Sequence, residues 1–124
     1  MSIVGTKVIR KEDPNLLTGR GQYVDDIQLT GMTHMAFVRS TEAHALIKGI
    51  DVSAALECEG VIGAWTAADL ELPPLPEVPG LERPTLATDK VRFVGEAVAV
   101  IVAENKYAAA DGTELVVVDY DPLE

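Results

Sequence analysis

The apolar positions of this chain fall into short runs of strand length that are separated by turn-forming residues. The strongest run is Lys90–Ala103, in which Gly95 and Glu96 predict a bend near the middle. Its second part, Ala97–Ala103, is continuously apolar and predicts a strand that is buried on both faces. The other predicted strands are Met32–Arg39, Ala45–Val52, Val61–Thr66 and Val116–Tyr120. In the second of these, Gly49 predicts a β-bulge.

Capping residues predict short helices between the strands. Asp13 followed by Pro14 is typical of a helix start, with Asp13 as the N-cap. Ser53 is predicted to cap a second short helix, which Gly60 would end by adopting the left-handed conformation. The segment Tyr23–Ile27 is predicted to be extended.

A third predicted helix, Lys106–Leu115, begins after the cap residue Asn105 and completes the outline of the fold. Gly112 disfavours this helix by about 1 kcal/mol relative to alanine. Two strand–helix–strand units result, Ala45–Thr66 and Ala97–Tyr120, and we expect parallel pairing through a right-handed crossover in each. The predicted fold class is α+β: a mixed sheet with two β-α-β units and short helices packed on it.

Chain length and proline content define the predicted domain organisation. A chain of 124 residues can form one domain with a core, and we predict a single domain over residues 1–124. Residues 71–84 hold five of the seven prolines and predict an irregular loop, because proline lacks a backbone N–H and fixes φ. The P-x-x-P spacings Pro73–Pro76 and Pro76–Pro79 could dock on aromatic grooves, but an extended surface loop is the favoured interpretation.

The acidic composition argues against nucleic-acid binding. The formal net charge is -10, and no cluster of lysine and arginine is available to contact phosphates. No apolar run approaches the roughly 20 residues that a membrane span needs. The segment Met1–Arg10 lacks the cationic and apolar regions of a signal peptide. We therefore predict a cytoplasmic protein with no nucleic-acid partner and no membrane span.

The cysteine and histidine residues do not have the spacing of a metal site. Cys58 is the only cysteine, so it has no cysteine partner for a disulfide, zinc or iron–sulfur site, and we interpret it as a small buried apolar residue. His34 and His44 are ten positions apart and match neither H-x-x-x-H nor H-E-x-x-H. Structural or surface roles are favoured for both histidines.

Two further motifs resemble binding sites but lack the context that such sites need. Gly19-Arg20-Gly21 follows no strand and matches no complete phosphate-loop pattern, so a tight turn is the favoured interpretation. Asp25 and Asp26 could attract a hard cation, but neighbouring residues of an extended segment point to opposite faces. No nucleophile elbow or other catalytic constellation is present. We assign no catalytic, cofactor-binding or metal-binding residue.

Five segments carry a family resemblance. They are Arg10–Ile27, Gly31–Ser40 with Ala43-His44-Ala45, Gly60–Leu70, Asp89–Ala99 and Glu114–Leu123. In this order they resemble the N-terminal α/β hammerhead domain of the molybdenum hydroxylase large subunit, the family of xanthine dehydrogenases, aldehyde oxidases and aerobic carbon monoxide dehydrogenases. The departures from the family pattern are Thr41 and Glu42, Ala97 in place of a frequent proline, and Asp111-Gly112-Thr113 in place of alanines.

The resemblance implies a role within a larger enzyme. In the family, a molybdopterin cofactor with molybdenum performs the oxidation, and iron–sulfur and FAD-containing subunits or domains carry the electrons away. The residues that hold the cofactor and the glutamate that acts as base lie downstream, so none maps onto this sequence. The chain is expected to be a fragment of a longer large subunit: a non-catalytic structural domain, inactive alone, that packs against the cofactor-binding domains.

The expected partners are the remaining domains of the large subunit and the iron–sulfur and flavin subunits. Arg20, Arg39 and Arg92 are expected to pair with carboxylates, and the separated domain is expected to expose an apolar patch. The alternative is a free-standing protein-interaction module that uses the Pro-rich loop or a sheet edge. A small enzyme in its own right is disfavoured because no triad, metal cluster or phosphate loop is recognised.

Overall fold

The computed structural model describes residues 4–5, 7, 9–70 and 84–124. The chain divides into two compact units, Met1–Met32 and Thr33–Glu124. The predicted Pro-rich loop lies outside the described residues, except for Pro84. Within the described part of the chain, no helix has the length and apolar character to cross a membrane.

The first unit contains a short helix, α1, at Asp13–Leu17. Its N-cap is Glu12, so Asp13 is the first helical residue and the predicted cap is wrong by one position. Asp13 and Pro14 both suit a first turn, because an acidic side chain favours the positive helix end and proline leaves no N–H without a partner there. None of the α1 residues is buried.

The prediction that Tyr23–Ile27 is extended is wrong, because Val24–Asp26 forms a 3-10 turn. The Asp26 carboxylate accepts a hydrogen bond from the Tyr23 backbone N–H at 2.9 Å. The Asp26 backbone N–H donates in return to the Tyr23 carbonyl at 3.0 Å. This local side-chain bond offers the backbone an alternative to extended structure, which is a common role of aspartate in turns.

The described residues of the second unit form six strands and two short helices. The strands are β1 His34–Arg39, β2 Ala45–Asp51, β3 Val61–Thr66, β4 Lys90–Val91, β5 Ala97–Ala103 and β6 Val117–Pro122. The helices are α2 Ser53–Leu56 and α3 Lys106–Glu114. The sequence therefore predicted β3 and β5 with their observed bounds.

The described strands pair in antiparallel fashion and form two three-stranded sheets. The first sheet has the order β1-β5-β3 and the second has the order β4-β2-β6. β5 is the central strand of the first sheet, and its residues Val98–Ile101 are all buried, as predicted from the unbroken apolar run. In β2 the register shifts between Ile47 and Gly49, which confirms the predicted bulge.

The parallel pairing expected within each β-α-β unit is wrong, because each helix connects a strand of one sheet to a strand of the other. α2 has four residues, and the connection between β2 and β3 is shorter than the dozen or so residues that a parallel crossover requires. After α3, β6 cannot pair with β5, since β1 and β3 occupy both edges of that strand. The α+β class is confirmed, with two antiparallel sheets in place of one mixed sheet.

The predicted strand Lys90–Ala103 is divided between the two sheets. β4 pairs with β2, whereas β5 pairs with β1 and β3. The chain changes sheet at the predicted bend, where Gly95 has a φ of 92°. The bend prediction is confirmed and the single strand is wrong.

The main hydrophobic core contains residues of both sheets and of α2. Its buried members are Val38, Ala45, Ala55, Ala87, Val91, Val98, Ala99 and Ile101. A second cluster joins α3 to the first sheet through Ala103, Ala108 and Ala109. Small side chains on both surfaces allow the helix axis to lie close to the sheet.

The two helices of the second unit begin differently. Asn105 caps α3 as predicted, because its side-chain oxygen accepts hydrogen bonds from two backbone N–H groups of the first turn, each at 3.0 Å. The predicted Ser53 cap of α2 is wrong, since the N-cap is Val52 and makes no side-chain bond. Gly60 has the predicted positive φ, of 84°, but lies in the turn before β3, beyond the end of α2 at Leu56.

Candidate functional site

The Gly19-Arg20-Gly21 motif forms the C-terminal cap of α1. The Gly19 N–H donates to the Leu16 carbonyl at 3.3 Å, and the Arg20 N–H donates to the Asn15 carbonyl at 2.8 Å. These two bonds, with Gly19 at a φ of 69°, constitute a Schellman motif. The favoured interpretation as a tight turn is therefore confirmed, and these two backbone N–H groups bind carbonyls of α1.

An open cleft of about 300 Å³ lies beside this turn within the first unit. Its walls include the oppositely charged side chains of Glu12 and Arg20, together with Leu16 and Tyr23. All four of these residues are exposed. The cleft thus lacks the buried, convergent polar groups that fix a small ligand in a typical binding pocket.

The structure does not bring the histidines and the cysteine together. His34 begins β1, whereas His44 precedes β2 and has its Nδ1 atom 3.3 Å from the Glu124 carbonyl oxygen. Cys58 is partly exposed, so its predicted burial is wrong, and its Sγ atom lies 3.9 Å from the Glu59 carbonyl. In the described ranges, no group of three or more histidine, cysteine, aspartate or glutamate residues could hold a metal ion.

Several acidic side chains stabilise backbone turns. The Asp51 carboxylate accepts hydrogen bonds from the Ser53 hydroxyl at 2.6 Å and from the Ser53 N–H at 2.9 Å. The Asp69 carboxylate binds the Thr66 N–H at 2.8 Å and the Thr66 hydroxyl at 2.7 Å. The pKa of Asp51 is lowered by the Ser53 hydroxyl and then by the Ser53 N–H. The pKa of Asp69 is lowered by the Thr66 N–H and then by the Thr66 hydroxyl.

The turn between β4 and β5 is organised by the buried carboxylate of Glu96, which is 6% exposed. One carboxylate oxygen accepts the Arg92 backbone N–H at 2.5 Å, and the other lies 3.5 Å from the Arg92 guanidinium. The Arg92 guanidinium also lies 3.9 Å from Asp89, so the expected pairing of Arg92 with carboxylates is confirmed. The sequence interpretation treated Glu96 only as part of a bend and missed this role.

Residues at the end of β1 also form hydrogen bonds with the turn between β4 and β5. The Gly95 N–H donates to the Ser40 carbonyl, and the Ser40 N–H donates to the Glu96 carbonyl, each at 2.8 Å. The Arg39 guanidinium donates to the Gly95 carbonyl at 2.9 Å, so its observed partner is a carbonyl and not the expected carboxylate. Arg39 and Ser40 therefore connect the end of β1 to the turn between β4 and β5.

The buried polar side chains of the described residues have partners within the chain. No buried side-chain nitrogen or oxygen in this part of the chain lacks a hydrogen-bond partner. The side chains of Asp51, Asp69, Glu96 and Asn105 each accept a hydrogen bond from a backbone N–H group of a turn or helix end.

The second unit contains two antiparallel three-stranded sheets, and short helices connect strands of one sheet to strands of the other. Polar side chains stabilise the turns. These features define an α+β domain of the α/β hammerhead type. A family model described as "Aldehyde oxidase and xanthine dehydrogenase, a/b hammerhead domain" matches residues 18–124. The chain belongs to this family.

Two relatives of this chain are named as a large subunit and a large chain. The chain is 46% identical to the nicotine 6-hydroxylase large subunit of Paenarthrobacter nicotinovorans over 99% of its own length and 16% of that protein. It is 47% identical to the carbon monoxide dehydrogenase large chain of Afipia carboxidovorans, over 97% of its own length and 15% of that protein.

A solved structure confirms the fold. Quinoline 2-oxidoreductase from Pseudomonas putida 86 superposes with a TM-score of 0.84 at 44% identity, covering 97% of this chain and 16% of that chain. The chain therefore spans about one sixth of the length of the proteins that it resembles.

Proposed function

We propose that this chain is the non-catalytic, N-terminal structural domain of a molybdopterin-dependent oxidoreductase large subunit, and that it packs against the domains that bind the cofactor. The observation that carries the proposal is the coverage: nearly the whole chain matches, but it matches only 15–16% of its relatives. The remainder of such a large subunit would hold the molybdopterin, and iron–sulfur and flavin subunits would accept the electrons.

The use of the polar side chains supports a structural role. Glu96 and Asp51 have backbone N–H groups as their partners, and so does Asn105. Groups that act as general acids, bases or nucleophiles are instead found within reach of one another in a cleft. The 124-residue chain is therefore expected to show no turnover with aldehydes, purines, N-heterocycles or carbon monoxide.

Exposed apolar side chains in the first unit support packing against further protein. Leu17 is 86% exposed, Val24 is 82% exposed and Leu29 is 69% exposed, all within Met1–Met32. Burial of these side chains against another domain would remove their apolar surface from water, which is favourable.

An antibody raised against this chain tests the proposal in the source cells. We expect the antibody to detect a polypeptide several times larger than 13.2 kDa, and we expect molybdenum to be enriched in the immunoprecipitate. The same precipitation with antibody that has been preabsorbed with the pure chain serves as the control. A native band of the chain's own size, with no molybdenum, would overturn the proposal and would favour a free-standing interaction module.

A further inference from the structure

The strand register of the first sheet places five large apolar residues on one face. Directly opposite residues of an antiparallel pair share a face. Met35 therefore lies beside Val102, and Phe37 lies beside Val100. Trp65 lies beside Val100 from the other edge strand. These five residues are called the outer face below, and none of them belongs to either hydrophobic core cluster.

α3 packs on the opposite face of the same sheet. Ala36, which alternates with Met35 and Phe37 along β1, belongs to the cluster that contains Ala108 of α3. Because successive residues of a strand point to opposite faces, the outer face points away from α3. The sheet thus has apolar side chains on both of its faces, and α3 covers one of them.

The edge strands of the outer face leave apolar groups accessible. Met35 is 60% exposed, and Phe37, Trp65 and Val102 are each partly exposed. Val100 itself is buried, between its neighbours Phe37 and Trp65. The Arg39 guanidinium lies 5.8 Å from the centroid of the Phe37 ring and gives this end of the face a charged rim.

A strand that is apolar on both sides is typical of a sheet that is covered on both faces. β5 is such a strand, since it reads Ala97–Ala103 without a polar residue. We propose that the outer face is the docking surface for the remaining part of the large subunit, outside the region that this chain matches. This inference rests on the proposed function, because it requires a longer native chain.

Two observations favour the remaining part of the same polypeptide as the occupant. The relatives extend over most of their length beyond the region that this chain matches, and a covalently attached domain has a high effective concentration. A second copy of the chain is disfavoured, because each copy has a formal net charge of -10 and like net charges repel.

Methionine oxidation of the native protein tests the inference. Hydrogen peroxide is added to the purified native large subunit and to the 124-residue chain, and the sulfoxide at Met35 is quantified by mass spectrometry. We expect Met35 to be oxidised at least ten times more slowly in the native subunit. Equal rates in a native subunit that is several times larger than this chain would overturn the docking surface and leave the proposed function intact.

Paired substitutions separate docking from folding of the domain. Met35→Glu and Tyr107→Glu both change exposed residues, and Tyr107 lies on α3, away from the outer face. In the native large subunit, we expect Met35→Glu to lower Tm by several degrees and Tyr107→Glu to leave it unchanged. In the 124-residue chain, we expect neither to change Tm appreciably. A dimer of the chain that Met35→Glu dissociates would overturn the inference in favour of a second copy.

Discussion

Gly112 of α3 lies so close to Ile101 of β5 that a Cβ atom on the glycine would come within 2.9 Å of the isoleucine Cγ2 atom. The same Cβ atom would lie 3.0 Å from the Cγ2 atom of Val61 in β3. Alanine at position 112 would gain about 1 kcal/mol of helix propensity. It would also overpack a core position, which costs about 1–3 kcal/mol. We therefore expect Gly112→Ala to destabilise the chain by about 1 kcal/mol.

Urea unfolding, followed by the fluorescence of the single tryptophan, Trp65, measures this effect. Gly49→Ala is the matched control, because a Cβ atom at position 49 meets no atom within 4 Å. We expect the control to be neutral or slightly stabilising, since alanine restricts the unfolded chain more than glycine does. If Gly112→Ala stabilised the chain, the prediction would be wrong, and Ile101 would be able to move away from the added methyl group without a cost in stability.

The Asn105 cap is expected to stabilise α3 by a measurable amount. Asn105→Ala removes the acceptor for two backbone N–H groups of the first turn and should cost about 1 kcal/mol in unfolding free energy. Asn105→Asp keeps an acceptor at the same place and should retain most of the stability. Equal stability of the alanine and aspartate variants in thermal unfolding would contradict this role.

The buried Glu96 carboxylate is expected to fix the turn between the two sheets. Glu96→Ala leaves the Arg92 N–H and guanidinium without this partner and should cost about 2 kcal/mol, as for other hydrogen bonds to charged groups. Glu96→Gln retains an acceptor and should cost less. Glu104→Ala, at an exposed position, is the control and should change stability by less than about 0.5 kcal/mol. Unfolding in urea compares all three variants.

Features that depend on neighbouring residues could be predicted from the sequence. The uninterrupted apolar run predicted β5, and the amide of Asn105 predicted the start of α3. Gly49 predicted the bulge in β2 because it interrupts an otherwise regular strand pattern. In each case, the residues that determine the structure lie within a few positions of it.

Features that depend on distant residues could not be predicted in the same way. The partition of the strands into two sheets depends on which edges of β5 are free, and this is decided by residues far away in the sequence. The turns at Asp26 and Asp51 could not be predicted for a different reason. Each carboxylate accepts a hydrogen bond from a nearby backbone N–H, and this bond can replace the backbone hydrogen bonds of a strand or a helix. Helix propensity predicted that Gly112 destabilises α3. The structure shows that glycine is required at this position because α3 packs closely against Ile101 of β5.

The Arg92–Glu96 turn shows that a family motif can be recognised in a sequence although its structural role is not evident from that sequence. The motif Asp89–Ala99 carried much of the family resemblance, but its sequence does not reveal that Glu96 is buried or that Ser40 binds the turn. The two strands that the turn joins belong to different sheets, and this arrangement requires a fixed corner. The observed hydrogen bonds of the motif thus connect β1 to the turn between the two sheets.

The carboxylates of Asp51 and Asp69 are expected to make the stability of the chain sensitive to acid. Hydrogen bonds from Ser53 and Thr66 lower their pKa values below the ordinary value of 3.8. A lowered pKa in the folded state means that the stabilisation is complete above the unfolded pKa and is lost as the pH falls through the folded pKa. We therefore expect the unfolding free energy to decrease as the pH is lowered below about 4. Asp51→Asn and Asp69→Asn should each reduce this decrease, while Asp25→Asn, at an exposed position of the 3-10 turn, is the control and should not. Urea midpoints measured between pH 2.5 and pH 7 would contradict the assignment if all three variants kept the full acid dependence.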